Sequence, residues 1–125
     1  MIIGVGIDLL TVARMDDEIR SEDRGLRDQI FTPGEIAYCE EKRYPARHYA
    51  ARFAAKEALF KALPSRDAEA RSFREIEIRN LPGGAPEVVL HGKIEGLARS
   101  LHVSRILVSL SHTDDLAAAC VVLES

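Results

Sequence analysis

The 125-residue sequence has no apolar run near the ~20 residues that a membrane-spanning helix needs. Its opening, Met1-Ile2-Ile3-Gly4-Val5-Gly6-Ile7-Asp8, lacks the basic start of a secretory signal, so neither membrane insertion nor secretion is expected. The two cysteines, Cys39 and Cys120, have no metal-ligand spacing, and Cys120 lies in the apolar run 117–123, where a thiol acts as a small hydrophobe. That usage suits a reducing cytoplasm. No phosphate-cradling GxxxxGK[ST] loop or GxGxxG fingerprint follows a strand, no histidine pair has zinc spacing, and no serine sits in a GxSxG elbow. Repeats, linkers and low-complexity segments are also missing. The net charge of -3 excludes nucleic-acid binding driven by bulk positive potential.

What is present fits one domain, residues 1–125, long enough to bury a modest core unaided. Hydrophobic residues make up 46% and charged residues 30%, as in ordinary globular chains. The basic residues cluster: Arg14, Arg20, Arg24 and Arg27 fall close together, and Arg43, Arg47, Arg52, Lys56 and Lys61 follow. Local positive patches on a mildly acidic chain point to anionic partners.

Residues 2–10 are apolar except for Gly4, Gly6 and Asp8, which predicts a strand buried on both faces. With a side-chain period of 2, Ile3, Val5, Ile7 and Leu9 share one face, while Gly4, Gly6 and Asp8 share the other with Ile2 and Leu10. Thr11 can cap a helix carrying the first arginines, and Gly25 breaks it before a short segment through Ile30. Thr32-Pro33-Gly34-Glu35 has the spacing of a capping box with proline at the first helical position. From Pro45 to Leu63, Tyr49, Ala50, Phe53, Ala54, Glu57, Phe60 and Lys61 recur at helical spacing, which predicts the longest helix. Beyond a polar stretch, 65–72, the pattern predicts strands over 73–79 and 87–90, a helix over 91–102, and a closing hairpin of strands 105–111 and 116–123 bent at 112–115.

Two carboxylates stand out. Asp8 on an apolar strand reads either as a cap at a solvated strand end or as a metal ligand, the glycines beside it allowing a ligand or another backbone close approach. Glu57 reads either as the i,i+4 partner of Lys61 or as an inward carboxylate that converges with Asp8. Two carboxylates with few other ligands make a hard-oxygen site of the magnesium kind, completed by water and phosphate oxygens, with Lys61 one turn on to reach a phosphate. Arg52 and Lys56 read as solvated helix residues or as additional positive charge for an anion. His112 ends a strand at a turn, where it either faces a cleft or bonds turn carbonyls; His48, His91 and His102 have no comparable setting.

Three separated motifs coincide. Gly4-Val5-Gly6-Ile7-Asp8-Leu9, Arg52-Phe53-Ala54-Ala55-Lys56-Glu57-Ala58 with Lys61-Ala62, and Val108-Ser109-Leu110-Ser111-His112-Thr113 with Ala117-Ala118-Ala119 together resemble the small bacterial holo-acyl-carrier-protein synthases. Phe31-Thr32-Pro33 with Glu35, Tyr38 and Cys39 is similar to a fourth segment of that family. The resemblance implies an α+β fold of the 4'-phosphopantetheinyl transferase type, a mainly antiparallel sheet against a long helix, in a homotrimer with active sites between subunits. It also implies transfer of 4'-phosphopantetheine from coenzyme A to a serine of an apo acyl carrier protein, dependent on Mg2+, with release of adenosine 3',5'-bisphosphate. Asp8 and Glu57 would bind magnesium, Lys61 would stabilise phosphate charge, and Arg52, His112 and Thr113 would contact coenzyme A. The carrier would dock on the first helix through Arg14, with Arg20, Arg24 and Arg27 nearby. The glycine-rich loop usual after the signature helix is replaced by 64–72, which has no glycine and places Arg66 and Arg71 where backbone contacts would otherwise serve. A non-catalytic relative that binds a nucleotide or carrier, and a magnesium-dependent pyrophosphate hydrolase, are the competing readings.

Overall fold

The computed structural model describes residues 1–21, 25–64 and 73–125. In chain order the elements are β1 (Ile2–Thr11), α1 (Val12–Arg20), α2 (Leu26–Ile30), α3 (Pro33–Glu40), α4 (Pro45–Ala62), a 3-10 turn (Phe73–Glu75), β2 (Ile76–Asn80), β3 (Pro86–Leu90), α5 (Gly92–Ser100), β4 (Arg105–His112) and β5 (Leu116–Glu124). The long strands form an antiparallel sheet in the order β1-β5-β4, and β2 pairs with β3 in a separate antiparallel ribbon. Among the described residues no helix is long and apolar enough to cross a membrane.

Local chemistry sets most element boundaries. Thr11 caps α1, its hydroxyl accepting the Arg14 N–H at 3.4 Å. Thr32 and Glu35 form the expected capping box, with Pro33 at the first position of α3. Pro45 opens α4 and Leu63 closes it in extended conformation, one residue short of the expected end. The strand expected from Phe73 begins instead at Ile76. Its first three residues coil as the 3-10 turn, and their backbone is tied down by Lys56, whose ammonium takes the carbonyls of Phe73 at 2.8 Å and Ile76 at 2.5 Å.

The inner face of the sheet carries the rows Gly4–Leu123–Ile106, Gly6–Val121–Val108 and Asp8–Ala119–Leu110 across β1, β5 and β4. Helix α4 lies on this face. Cβ atoms on Gly4 and Gly6 would overlap the carbonyl oxygens of Ala62 and Ala58, so it is the helix backbone that uses the space the glycines leave. The two repeats match: four helical residues rise ~6 Å and two strand residues ~6.8 Å, so Ala58 and Ala62 fall opposite Gly6 and Gly4 in turn. With the helix seated this deep, it is buried nearly all round, with Ala54, Ala55, Ala58, Leu59 and Phe60 in one core and Tyr49, Ala50 and Ala51 in another.

The outer face of β1 is open in the single chain: Val5 is 59%, Ile7 67% and Leu9 62% exposed, since nothing in one chain lies over that side of the sheet. Cys120 shares this outer face with Ile7 and Ser109 and is half-buried, whereas Cys39 is fully buried and its thiol is pushed up to about 12 by that burial.

Lys56 does not lie at the surface of α4, where a solvated or anion-facing side chain was expected. It is fully buried, its Nζ 2.8 Å from Glu35 Oε1, while Glu35 also accepts the N–H groups of Thr32 at 2.9 Å and Ile78 at 3.0 Å. Burial pulls the Lys56 pKa down and Glu35 pulls it back up, leaving it below the ordinary lysine value. One ion pair thus joins α3, α4 and β2. Lys56→Met leaves Glu35 as a buried charge without its counter-ion and is expected to cost ~3–5 kcal/mol, read from urea unfolding. A variant as stable as the parent would mean that the pair is not what holds the three elements together.

Candidate active site

Asp8 projects from β1 toward α4, with its side chain only 16% exposed. Lys61 meets it from the last turn of the helix, Nζ 2.9 Å from Asp8 Oδ1 and 3.2 Å from the Ile7 carbonyl oxygen. Glu57 precedes Lys61 by one turn and therefore shares its side of α4; it is half-buried rather than turned into the core. Lys61 is thus the link between Asp8 and the side of α4 that also carries Glu57.

This side of the α4–β1 junction suits a hard cation. Asp8 already draws a positive group, the Lys61 ammonium, onto its oxygens. Among the described residues no cluster of three or more His, Cys, Asp or Glu side chains could form an all-protein cage. A pair of carboxylates is the kind of donor set that could hold magnesium, whose shell is otherwise completed by water and phosphate oxygens.

A second constellation forms where α3, α4 and the end of β4 meet. Arg52 is 3% exposed, not solvated; its Nη2 donates to Asn80 Oδ1 at 2.5 Å and its guanidinium lies 3.9 Å from the centre of the Tyr38 ring. The Arg52 Nε is buried and has no hydrogen-bond partner among the described residues. Lys42 approaches the same ring at 4.4 Å. His48 stands edge-on to Tyr38 at 5.9 Å and to His112 at 5.2 Å, so a histidine that the sequence reading set aside is packed against the one it favoured. A signal was available: His48 precedes Arg52 by four residues on one helix, which puts them on one face. Burial first, then the charges of His112, Lys42, Arg52 and Arg47, push the His48 pKa below its ordinary 6.5.

Thr113 turns the β4–β5 hairpin. Its Oγ1 accepts the N–H groups of Asp115 at 3.2 Å and Leu116 at 3.1 Å, which occupies its lone pairs within the turn. His91, also set aside from the sequence, bonds Glu77 Oε1 at 2.9 Å. Burial raises the Glu77 pKa, but hydrogen bonds from His91, Arg79 and Thr32 outweigh it and hold the carboxyl below its ordinary range.

Arg14 and Arg20 are exposed on α1 and paired within it, Arg14 with Glu18 at 3.4 Å and Arg20 with Asp16 at 2.8 Å, whereas Arg27, expected beside them, lies on α2 and reaches Glu40 of α3 at 3.3 Å. Arg24 lies outside the described residues, as do Arg66 and Arg71. A groove of about 810 Å³ runs between α1, the α3–α4 turn and the β4–β5 hairpin; Arg20, Arg27, Arg43 and Arg47 share its walls with Asp16, Glu40, Asp114 and Asp115.

An α+β fold with carboxylates and a lysine at a helix–strand edge, and basic side chains gathered at the sheet rim, defines a class suited to phosphate-bearing ligands. Residues 4–121 match the family model described as 4'-phosphopantetheinyl transferase superfamily, and the chain belongs to that family. It is 44% identical over 124 residues to the holo-[acyl-carrier-protein] synthase of Geobacter sulfurreducens, covering 99% of this chain and 98% of the relative. The fold superposes on the holo-[acyl-carrier-protein] synthase of Neisseria meningitidis with a TM-score of 0.87 at 31% identity, covering all of both chains. It superposes on that of Bacillus anthracis, solved in complex with CoA (3',5'-ADP), with a TM-score of 0.80 at 30% identity, covering 100% of this chain and 98% of the other.

The lowered His48 pKa carries a stability consequence. The unfolded chain binds this proton more readily than the folded one, so the His48 contribution is present above the unfolded value of 6.5 and is lost as pH falls through the window below it. Chemical denaturation across that window should show stability falling with pH, with a shallower slope in His48→Phe. Equal slopes would contradict the crowding of His48 by its basic neighbours.

Proposed function

We propose that this chain transfers 4'-phosphopantetheine from coenzyme A to a serine hydroxyl of an apo acyl carrier protein, with Mg2+, and releases adenosine 3',5'-bisphosphate. The observation that carries the reading is the meeting of Asp8 and Lys61 at 2.9 Å on the flank of α4 that also bears Glu57, in a chain of this family. A structural relative bound to CoA supports the co-substrate.

In the reaction the serine oxygen forms a bond to the β-phosphorus of coenzyme A, the bond from that phosphorus to the bridging oxygen breaks, and the nucleotide leaves with that oxygen and its electron pair. The serine proton passes to solvent or a nearby base. No covalent protein nucleophile is required; positioning and charge neutralisation carry the catalysis. Asp8 and Glu57 would hold magnesium, which supplies Lewis-acid neutralisation of the pyrophosphate. Lys61, already at the carboxylate edge, is placed to move its ammonium onto phosphate oxygens as charge develops on the leaving group. Arg52 and His112 hold the anionic nucleotide end of coenzyme A, and the Thr113 hydroxyl donates to it.

The carrier reaches this edge across α1. Arg14 and Arg20 are exposed there, and their i,i+4 acidic partners are weak enough at the surface to be exchanged for those of an acidic protein. Arg27, Arg43 and Arg47 stand further along the groove, where Glu40 and Asp114 pair with Arg27 and Arg47, so an acidic partner would exchange with those carboxylates as well. Assembly completes the reading: the outer row of Val5, Ile7 and Leu9, with Leu107 40% exposed across the sheet, is an apolar face that a second subunit would cover in a homotrimer.

Incubation with coenzyme A, magnesium and an apo carrier, followed by intact-mass measurement, should show the carrier gaining phosphopantetheine. Consumption of coenzyme A with an unmodified carrier would favour a hydrolase, and no change in either would favour a binding module. Asp8→Asn and Glu57→Gln should each lower transfer by roughly a hundredfold or more, as expected when several kcal/mol of charge stabilisation is lost; full activity in either removes the metal assignment. Light scattering should give a trimer for the parent chain and a smaller species for Ile7→Glu, which places a charge in the apolar face. A parent that runs as a monomer refutes the assembly.

A further inference from the structure

His48 occupies a position that pair chemistry inside the chain does not explain. The charged and titratable groups that face it are Lys42 in the α3–α4 connection, Arg47 and Arg52 on α4, and His112 on β4, all basic, with the Tyr38 ring between them. Arg47 is offset by Asp114 at 3.1 Å. Arg52 keeps a buried Nε without a partner among the described residues, a donor that costs free energy until an acceptor arrives. Gathered cations around an unused buried donor are what a multiply charged anion resolves.

The phosphates of coenzyme A differ in the charge they offer. Each phosphorus of the pyrophosphate carries one negative charge that does not change near neutral pH. The 3'-phosphomonoester has a second pKa of about 6 and is largely a dianion at neutral pH. The carboxylate edge at Asp8, Glu57 and Lys61 is already assigned to the pyrophosphate, which leaves the monoester for the basic rim.

Resting on the reading of this chain as a coenzyme A-dependent transferase, we propose that His48 is a further ligand-binding residue, acting with His112 and Arg52 on the 3'-phosphomonoester and taking up a proton as the dianion binds. In the free protein, burial and basic neighbours favour the neutral imidazole. A dianion beside the ring reverses that balance, so binding raises the His48 pKa and draws a proton from solvent. Affinity for coenzyme A then increases as pH falls from mildly alkaline toward the histidine range. His48 is a binding residue that sets this proton linkage, and it takes no part in bond making.

Calorimetric titration in two buffers of different ionisation enthalpy, from about pH 6.5 to about pH 8.5, tests this by counting protons. The parent protein should take up a fraction of a proton with coenzyme A and distinctly less with dephospho-coenzyme A, which lacks the monoester. His48→Phe keeps a ring against Tyr38 and His112; it should reduce the uptake and weaken coenzyme A about 3- to 10-fold at the lower pH, with little change for dephospho-coenzyme A. His48→Gln, which keeps a hydrogen-bonding group but cannot gain a proton, should lose the linkage as well. Proton uptake unchanged in both variants overturns the proposal, as does an equal loss for both ligands, which would mean that the ring acts through packing or on the pyrophosphate. A parent protein that binds neither ligand would instead bring down the transferase reading on which the proposal rests.

Discussion

The seating of α4 on the bare edge of β1 is the constraint from which the rest of the structure follows. Glycine at 4 and 6 removes the atoms that would hold the helix away, and the helix meets them at Ala62 and Ala58, residues that are themselves small. Two near-equal repeats, two residues of strand and four of helix, keep small groups against small groups over successive turns. Bringing backbone to backbone has two results. Eighteen residues of helix are buried on most of their circumference, and Lys61 comes within hydrogen-bond reach of Asp8.

A helix surrounded in this way cannot keep its polar side chains in water, and each one has to find a partner. Lys56 finds Glu35, which doubles as the capping-box acid of α3 and the acceptor for a β2 amide. Arg52 finds Asn80 and the face of Tyr38, with its Nε left over. Glu57 and Lys61 escape full burial because they lie one residue off the Ala58–Ala62 line. The signature stretch of α4 therefore divides by helical phase: Lys56 holds the fold, whereas Glu57 and Lys61 border the edge to which the chemistry is assigned.

Much of this was legible in the residues. Thr32, Pro33 and Glu35 carry their interactions within four positions, so the capping box could be read without knowing the fold. Period-2 alternation put Asp8 on the face of Gly4 and Gly6, and that parity survives in the register with β5. Lys56 was not legible as a core residue, because its partners Glu35, Phe73 and Ile76 are brought to it by elements far along the chain. His48 is not legible as a site residue because its setting depends on His112, sixty-four positions away, coming up beside α4. The outer face of β1 reads as core because its residues are apolar, yet a single chain leaves Val5, Ile7 and Leu9 exposed. Composition records that a surface avoids water but not which molecule covers it.

The sequence by itself determined the order of elements, the caps, the face of β1 that would hold Asp8 and the helix that would hold Glu57 and Lys61, since each depends on spacing within a few residues. Only the tertiary structure decided that the glycines admit a helix backbone instead of a ligand, that Lys56 is a structural cation, and that His48 and His112 form one cluster. Those outcomes depend on long-range packing, in which the burial of one element sets the partners available to another.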